Sequence, residues 1–326
     1  MTPKVYFTDF CSSNFETMPQ KLARLIMTAG IDKIDFEGKF EKMKLLIMPN
    51  SYNQAESLIE HIDGIIVGLK DFSVNMPAYF SYDEVLDFIN LIKKNNKQIF
   101  VALNKNMFNK DLKQLRKILI DLDELKINGI LYYDISIVNI RKEEKLVTPL
   151  VWNQEHLTTN YLTSNFWYEQ GAKYTMLSSE ITLEEVKEIE EKAEAKLMMP
   201  IFGYLPMFVS RRHLVKNYLE TFNLEDNSKI NYIEKEGKVY AIIDDELGTR
   251  AYSNKCLNGI IESLNLNIDY AVLNSFNISD KVFREVVFMY SVVNETNALE
   301  FKEKINEMLD TDLGFLYKET VYKVKK

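Results

Sequence analysis

The residues best able to do chemistry form a cationic run in the second half of the chain. Ser210, Arg211, Arg212 and His213 stand side by side, and Lys216 follows. Such a run can hold a carboxylate, a phosphate or an RNA backbone. Tyr204, Phe208 and Tyr218 interleave aromatic rings with these cations, as stacking on a base requires. The run predicts an anion-binding site, and a solvated basic helix start is the alternative.

A second set of candidates consists of residues that directly follow short apolar runs. The set is rich in amides and hydroxyls, with one carboxylate, Asp134, directly at a strand end and Glu180 further along. Its main members are Asn104, Asp134, Asn153, Glu180, Gly203 and Tyr204. Such residues can bind a polar ligand through hydrogen bonds. Asn, Asp and Ser are equally favoured as helix N-caps. The set therefore predicts a substrate-binding rim, and it assigns no catalytic residue.

The sequence shows no familiar metal or nucleophile motif. His61, His156 and His213 lack a ligand spacing, and no GxSxG segment is present. Cys11 and Cys256 are the two cysteines, too few for a four-thiolate zinc or iron–sulfur site. We expect both thiols to be structural and no metal in this chain, although His156 follows a strand and could face a pocket.

From Lys44 onward, nearly continuous apolar runs alternate with amphipathic ones. This order is typical of parallel strands buried on both faces and covered by helices. The predicted strands are Leu45–Met48, Gly64–Leu69, Gln98–Leu103, Gly129–Tyr133, Thr148–Trp152, Tyr174–Leu177, Leu197–Phe202 and Tyr270–Leu273. Eight strands over this length predict an α/β fold, a (β/α)8 TIM-like barrel, whose working residues lie at the carboxyl ends of the strands. A doubly wound sheet is the alternative, but the first strand is not followed by a glycine-rich dinucleotide turn.

The rhythm breaks between the seventh and eighth strands, at about residues 219–267. Asn231–Glu236 and Lys238–Ile243 flank Gly237 and predict a small β-hairpin excursion. We expect a barrel domain over residues 43–326, ending in two helices and a strand-like tail at Gly314–Val324. Residues 1–42 are expected to be an N-terminal appendage of unknown role.

The composition limits the classes of function that the chain can have. The chain has 326 residues, 46% hydrophobic and 27% charged, and a formal net charge of −8. These values are typical of a globular protein. An acidic chain needs a local basic patch or a partner to contact nucleic acid. No run approaches the ~20 apolar residues of a membrane span, and the N-terminus lacks a signal-peptide pattern. We expect a cytoplasmic protein with no membrane partner.

Several separated segments, in order, carry a family resemblance. The segment MPIFGYLPMFVSRRHL at Met199–Leu214 resembles the signature of the peptidase U32 (collagenase-like) family. The segments at Val67–Ser81, Val101–Lys105, Trp152–Tyr161 and Leu177–Val186 agree with it, as does the C-terminal GFLYKETVYKVKK. Gly203, Arg212 and Leu214 match the signature. Pro206 and His213 stand where it has cysteines, and Met198 where it has a leading Glu.

The resemblance implies a (β/α)8-like barrel and one of several functions. Short, cysteine-poor members resemble one subunit of a pair that forms 5-hydroxyuridine at the wobble position of tRNA. The other subunit would be a cysteine-containing U32 paralogue bearing a 4Fe–4S cluster, and tRNA would be bound through the complex. Arg211, Arg212 and His213 would bind tRNA phosphate or a small anionic cosubstrate, and Gly203 would let a ligand approach the backbone. A peptidase, hence a hydrolase, and a non-catalytic scaffold barrel are the alternatives.

Overall fold

The computed structural model describes residues 43–154, 158–225 and 228–318. The predicted N-terminal appendage at 1–42, Cys11, Glu155, His156 and the basic end of the chain lie outside these residues. Within them, no helix combines the length and the apolar character that crossing a membrane demands.

The strands of the described residues follow the predicted order closely. They are β1 (Lys44–Met48), β2 (Gly64–Leu69), β3 (Tyr79–Phe80), β4 (Gln98–Leu103), β5 (Gly129–Tyr132), β6 (Leu150–Trp152), β7 (Tyr174–Met176), β8 (Lys196–Ser210), β9 (Asn231–Lys235), β10 (Lys238–Asp245), β11 (Gly248–Asn258), β12 (Tyr270–Asn274) and β13 (Thr311–Asp312).

The helices fill the gaps between these strands. They are α1 (Tyr52–Leu58), α2 (Tyr82–Lys94), α3 (Leu112–Glu124), α4 (Ser136–Glu143), α5 (Tyr161–Glu169), α6 (Leu183–Lys192), α7 (Leu214–Phe222), α8 (Asp280–Val292) and α9 (Ala298–Met308). Ser81 and Thr182 start α2 and α6 with capping boxes, each closed by a Glu three residues later, Glu84 and Glu185.

Eight parallel strands close into a barrel, which confirms the predicted fold. The order is β12-β1-β2-β4-β5-β6-β7-β8, and β8 pairs in turn with β12. Alternate residues of each strand point to opposite sides. In β4, Phe100 and Ala102 pack inside the barrel, and Ile99, Val101 and Leu103 pack against the helices.

An aromatic cluster fills the interior near the amino ends of the strands. The rings of Phe100, Tyr174 and Tyr270 contact one another edge to face, with centroids 5.5–5.8 Å apart. Tyr174 and Tyr270 are the first residues of their strands. The barrel is therefore plugged by side chains at this end, and the opposite end is where a ligand can enter.

The main departure from the sequence prediction is the length of β8. The prediction ended this strand at Phe202, but it runs on to Ser210 and leaves the barrel. Its second half pairs antiparallel with β11, which pairs with β10, and β10 pairs with β9 in the predicted hairpin. We call this antiparallel sheet, β8-β11-β10-β9, the extension. It begins well before residue 219.

Gly203 is the point at which β8 leaves the barrel. Its φ is +122°, and a Cβ on it would lie 2.7 Å from the carbonyl oxygen of Asn274 in β12. The close approach at this glycine is thus made by a neighbouring strand. Both the backbone angle and the contact require a residue without a side chain.

The predicted strand-like tail is wrong in its described part. Gly314–Tyr317 form a turn, and only the two residues of β13 pair with β11 before it. The carbonyl of Leu316 in this turn accepts a hydrogen bond from Leu183 N. This turn is therefore fastened beside the start of α6.

We expect Gly203→Ala to destabilise the barrel more than Gly237→Ala. Gly237 also has a positive φ, +72°, but its Cβ position has no atom within 4 Å. Gly237→Ala therefore measures backbone strain alone, about 1–2 kcal/mol, and the overpacking at Gly203 adds about 1–3 kcal/mol. Urea unfolding of both variants gives the difference, and equal midpoints would contradict this account of the pivot.

Candidate functional site

A cavity of about 860 Å³ opens at the carboxyl ends of the barrel strands. This volume lies within the ~300–1,000 Å³ of small-molecule sites. Its lining comes from the segments after β2, β4, β5 and β6, and from the extension. The described lining contains no Ser, Thr, Cys or His side chain. No group of three His, Cys, Asp or Glu that could hold a metal ion occurs anywhere in the described ranges.

One wall is the loop between β4 and α3, and two carboxylates fix its path. Asp134 Oδ2 accepts a hydrogen bond from Met107 N at 2.9 Å, and Asp111 Oδ2 accepts one from Phe108 N at 3.0 Å. Lys105 lies 3.3 Å from Asp111. Burial opposes ionisation of Asp111, but the Phe108 hydrogen bond and the Lys105 ammonium hold its pKa below the usual value. The loop thus holds Phe108 at the cavity in one position.

A second wall, between β2 and β3, is fixed by Asn104. Its Oδ1 accepts a hydrogen bond from Val74 N at 3.0 Å, and its Nδ2 donates one to Val74 O at 3.1 Å. The amide therefore binds the backbone like a neighbouring strand. Asn104 lines the cavity as predicted, and it positions Val74 and Asn75 there.

The opposite wall belongs to the extension and depends on an ion pair whose arginine is buried. Arg250, 1% exposed, donates through both terminal nitrogens to Asp245, at 2.8 and 2.5 Å. Asp245 Oδ1 also accepts from Leu247 N at 2.9 Å. Burial opposes ionisation of the Asp245 carboxyl, but the hydrogen bonds from Arg250 hold its pKa below the usual value. The pair fixes the β10–β11 turn, so that Glu246 and Leu247 face the cavity.

A cation–π contact joins the two sides of the cavity mouth. The guanidinium carbon of Arg211, at the end of β8, lies 3.9 Å from the ring centroid of Phe108. Both residues line the cavity and both are exposed. Stacking uses the face of the guanidinium and leaves its edge hydrogens free to bind an anion.

Asn153 is the most enclosed amide whose hydrogen bonds are not used. It follows β6, lines the cavity and is 7% exposed. Its side chain has no hydrogen-bond partner within the described residues. The neighbouring Gln154 amide also lines the cavity, and its Nε2 donates a hydrogen bond to the Tyr133 hydroxyl at 3.5 Å.

The structure brings three of the nine predicted site residues to the cavity: Asn104, Asn153 and Arg211. Asp134 lies beneath the wall formed by the β4–α3 loop. Glu180 lies in the loop after β7, where its backbone N–H donates to Ser178 Oγ at 3.1 Å. Gly203 and Tyr204 lie at the barrel–extension junction, and burial raises the pKa of the half-buried Tyr204 hydroxyl.

Arg212 and His213 belong to the start of α7, outside the cavity lining. The Arg212 side chain is exposed, and its carbonyl accepts a hydrogen bond from Thr249 Oγ1 at 2.8 Å. His213 Nδ1 lies 2.9 Å from Asp244 Oδ1, and Asp244 Oδ2 accepts from Lys216 N at 3.0 Å. Asp244 thus caps α7 from β10 and fastens the helix to the extension.

Sequence reasoning missed Phe108, Lys110 and Glu246. Phe108 and Lys110 lie four and six residues beyond Asn104, in a loop whose path depends on Asp134 and Asp111. Glu246 lies in the β10–β11 turn, within the segment that the sequence prediction assigned to an excursion away from the barrel.

A family model matches more than half of the chain. Residues 50–232, which run from the end of β1 to the start of β9, match the model of peptidase family U32. The chain belongs to this family.

Two curated relatives of this U32 chain come from Bacillus subtilis (strain 168). The tRNA hydroxylation protein P2 is 28% identical, over 86% of this chain and 100% of the relative. The tRNA hydroxylation protein P1 is 25% identical over 59% of this chain. The match covers 47% of P1, so the chain spans about half the length of that relative. A solved U32 peptidase is 15% identical, with a TM-score of 0.49, over 74% of this chain and 96% of the other.

The described residues do not fit the iron–sulfur cluster implied by the family resemblance. A 4Fe–4S cluster requires four thiolates. Cys256 is fully buried, and burial raises the pKa of its thiol to about 12. Its Sγ lies 3.6 Å from the Leu257 carbonyl, in β11. The expectation of a structural thiol is confirmed for Cys256.

We expect Cys256 to resist modification in the folded U32 chain. With its pKa at about 12, about one thiol in ten thousand is ionised at pH 8, and the thiolate is the reactive form. A Cys11→Ser variant should therefore not react with Ellman's reagent until guanidinium unfolds it. Release of one equivalent of thionitrobenzoate from the folded variant would show that the region around β11 opens.

We expect Asp244 to stabilise the extension in a pH-dependent way. Its side chain is 5% exposed. Burial opposes ionisation of this carboxyl, but the hydrogen bonds from Lys216 N and His213 hold its pKa below the usual value. Stabilisation of this kind is complete above the unfolded pKa of about 3.9 and is lost as the pH falls through the lower folded pKa.

The matching variant is Asp244→Asn. Its free energy of unfolding at pH 7 should be about 1.5–3 kcal/mol lower, the usual value for hydrogen bonds to a charged group. The difference from the parent should shrink below pH 4. Urea midpoints at pH 7 and pH 3 measure it. A difference that is the same at both pH values would show that the charge of Asp244 does not matter.

Proposed function

We propose that this chain is a subunit of a tRNA hydroxylation system that forms 5-hydroxyuridine at the wobble position. In this proposal it acts with a cysteine-containing U32 paralogue, which holds the 4Fe–4S cluster. The chain described here supplies a surface for RNA and a pocket at the barrel mouth. Both subunits would work in the cytoplasm, where tRNA is found.

The observation that carries the proposal is the composition of the cavity rim. Arg211, Arg212 and Lys216 are exposed side by side at the end of β8 and the start of α7. Phe208 is 46% exposed and Tyr218 is 57% exposed beside them. Cations that bind phosphates, interleaved with exposed rings that stack on bases, are typical of single-stranded RNA surfaces.

The net charge makes the position of these cations informative. A chain at −8 repels a polyanion on average, so RNA can approach only where positive charge is concentrated. Arg211 and Lys110 line the cavity, and neither forms an ion pair within the described residues. We assign these two side chains the binding of an RNA phosphate, or of the anionic group of a small cosubstrate.

The relatives support the two-subunit form of the proposal. The alignment with the P2 protein covers that relative completely, and the alignment with the P1 protein covers about half of it. Two such proteins in one bacterium are consistent with different roles on tRNA. Because Cys256 is buried and protonated, the thiolates of a cluster would have to come from the partner.

The test is complementation of a deletion strain, with bulk tRNA nucleosides measured by mass spectrometry. Deletion should remove 5-hydroxyuridine and its derivatives, and the wild-type gene should restore them. We expect the double variant Arg211→Ala, Arg212→Ala to restore less than a tenth, because each lost phosphate contact weakens RNA binding.

Lys93→Ala, Lys94→Ala is the matched control. These exposed lysines end α2 at the opposite end of the barrel, so the pair changes the net charge equally without touching the rim. The control should restore the nucleosides fully at equal protein levels. Full restoration by both variants would contradict the assignment of RNA binding to the rim. Unchanged nucleosides after deletion of the gene and its paralogues would contradict the proposed function itself.

A further inference from the structure

We infer that the cavity receives a pyrimidine base turned out of an RNA strand, with Asn153 and Gln154 on the base and Arg211 and Lys110 on an adjacent phosphate. This deepens the proposed function and rests on it for the choice of uridine. It concerns what this chain itself binds, independently of where the cluster lies.

The first argument is the charge of the lining. Its three cations, Lys105, Lys110 and Arg211, are matched by three carboxylates, Asp71, Asp111 and Glu246. Lys105 and Asp111, one of these carboxylates, neutralise each other in an ion pair. A neutral lining does not concentrate a small dianion. It suits a ligand whose enclosed part is uncharged and whose single charge lies at the mouth.

The second argument is the chemistry of the amides. Six of the lining side chains are Asn or Gln, and an amide carries a donor and an acceptor next to each other. Asn104 uses both on Val74, whereas Asn153 uses neither within the described residues. A pyrimidine base has the complementary pair, a ring nitrogen beside an exocyclic oxygen or amine. Asn153 is 7% exposed, with its donor and acceptor unmatched within the described residues. A base edge would satisfy both, as in enzymes that read a flipped base.

The third argument is the shape of the remaining surface. Tyr133, Phe108 and Phe208 contribute rings to the lining, and Val74, Met207 and Leu247 contribute apolar surface. Flat rings and apolar walls pack on the faces of a base. The volume of about 860 Å³ holds a nucleotide and is far larger than a lone phosphate or carboxylate requires.

The fourth argument places the charge at the entrance. Lys110 and Arg211 are exposed, whereas Asn153 is enclosed. The Arg211 guanidinium stacked on Phe108 has its edge free for a phosphate. A nucleotide that enters base first therefore meets amides inside and cations outside.

The test measures binding of uridine 5′-monophosphate to the full-length chain by calorimetry and ligand-observed NMR. Ribose 5-phosphate is the probe without a base, and citrate is the probe for a small polyanion. We expect the nucleotide to bind at least tenfold more tightly than ribose 5-phosphate, and citrate not to displace it. Equal binding of the two phosphates, or displacement by citrate at comparable concentration, overturns the inference.

Asn153→Ala should weaken nucleotide binding at least tenfold, and Gln154→Ala should weaken it as well. Asn139→Ala, an exposed asparagine on α4, is the matched control and should bind as the parent does. Thermal melts confirm that each variant is folded, and Gln154→Ala is the reporter if Asn153→Ala is not. Unchanged affinity in a folded Asn153→Ala variant, or no nucleotide binding at millimolar concentration, overturns the inference.

The two proposals fail separately. If deletion removes 5-hydroxyuridine but the nucleotide does not bind, the function stands and the base pocket is wrong. If the nucleotide binds through Asn153 but deletion leaves tRNA unchanged, the cavity is a pyrimidine nucleotide site and the assigned function is wrong.

Discussion

Strand β8 (Lys196–Ser210) takes part in both the barrel and the extension, and the rest of the site depends on this double pairing. Its first half closes the barrel between β7 and β12, and its second half pairs with β11. Gly203 makes the change of direction possible, because its backbone angle and the carbonyl of Asn274 leave no room for a side chain. Without it, the barrel mouth would lack the wall that carries Arg211 and Glu246.

Polar side chains in the walls and polar side chains in the cavity have different roles. Asp134, Asp111, Asn104 and the Arg250–Asp245 pair use their hydrogen bonds on neighbouring backbone or on each other. They fix the loops before any ligand arrives, which lowers the entropy lost on binding. Asn153, Arg211 and Lys110 are left with unused donors or acceptors, which is why we assign ligand recognition to them.

The sequence predicts the barrel well because its strands are buried on both faces. The bounds of β2 and β4 match their apolar runs to the residue. The end of β8 was not predictable from local signals, since Gly203 and Pro206 are residues that usually end strands. Pro206 is tolerated because it pairs with Tyr252 at an irregular point of the ladder.

The more directly a site residue follows a barrel strand, the better the sequence predicted it. Asn104 and Asn153 come immediately after β4 and β6 and were found by that rule. Arg211 was found by its charge. The position of Phe108 depends on the hydrogen bond between its loop and Asp134, 27 residues from Met107. Glu246 reaches the cavity because β11 pairs with the distant strand β8. His213 looked like an anion ligand because its partner Asp244 is 31 residues away.

The central claim is that the barrel mouth of this chain meets the wobble nucleotide. The most direct measurement is photocrosslinking of an anticodon stem-loop that carries 4-thiouridine at the wobble position, with the crosslinked peptides identified by mass spectrometry. The account predicts crosslinks to the residues that line the mouth, at 104–114, 153–154 and 207–216. Crosslinks confined to the amino-terminal end of the barrel, or to other subunits with none in this chain, would contradict it.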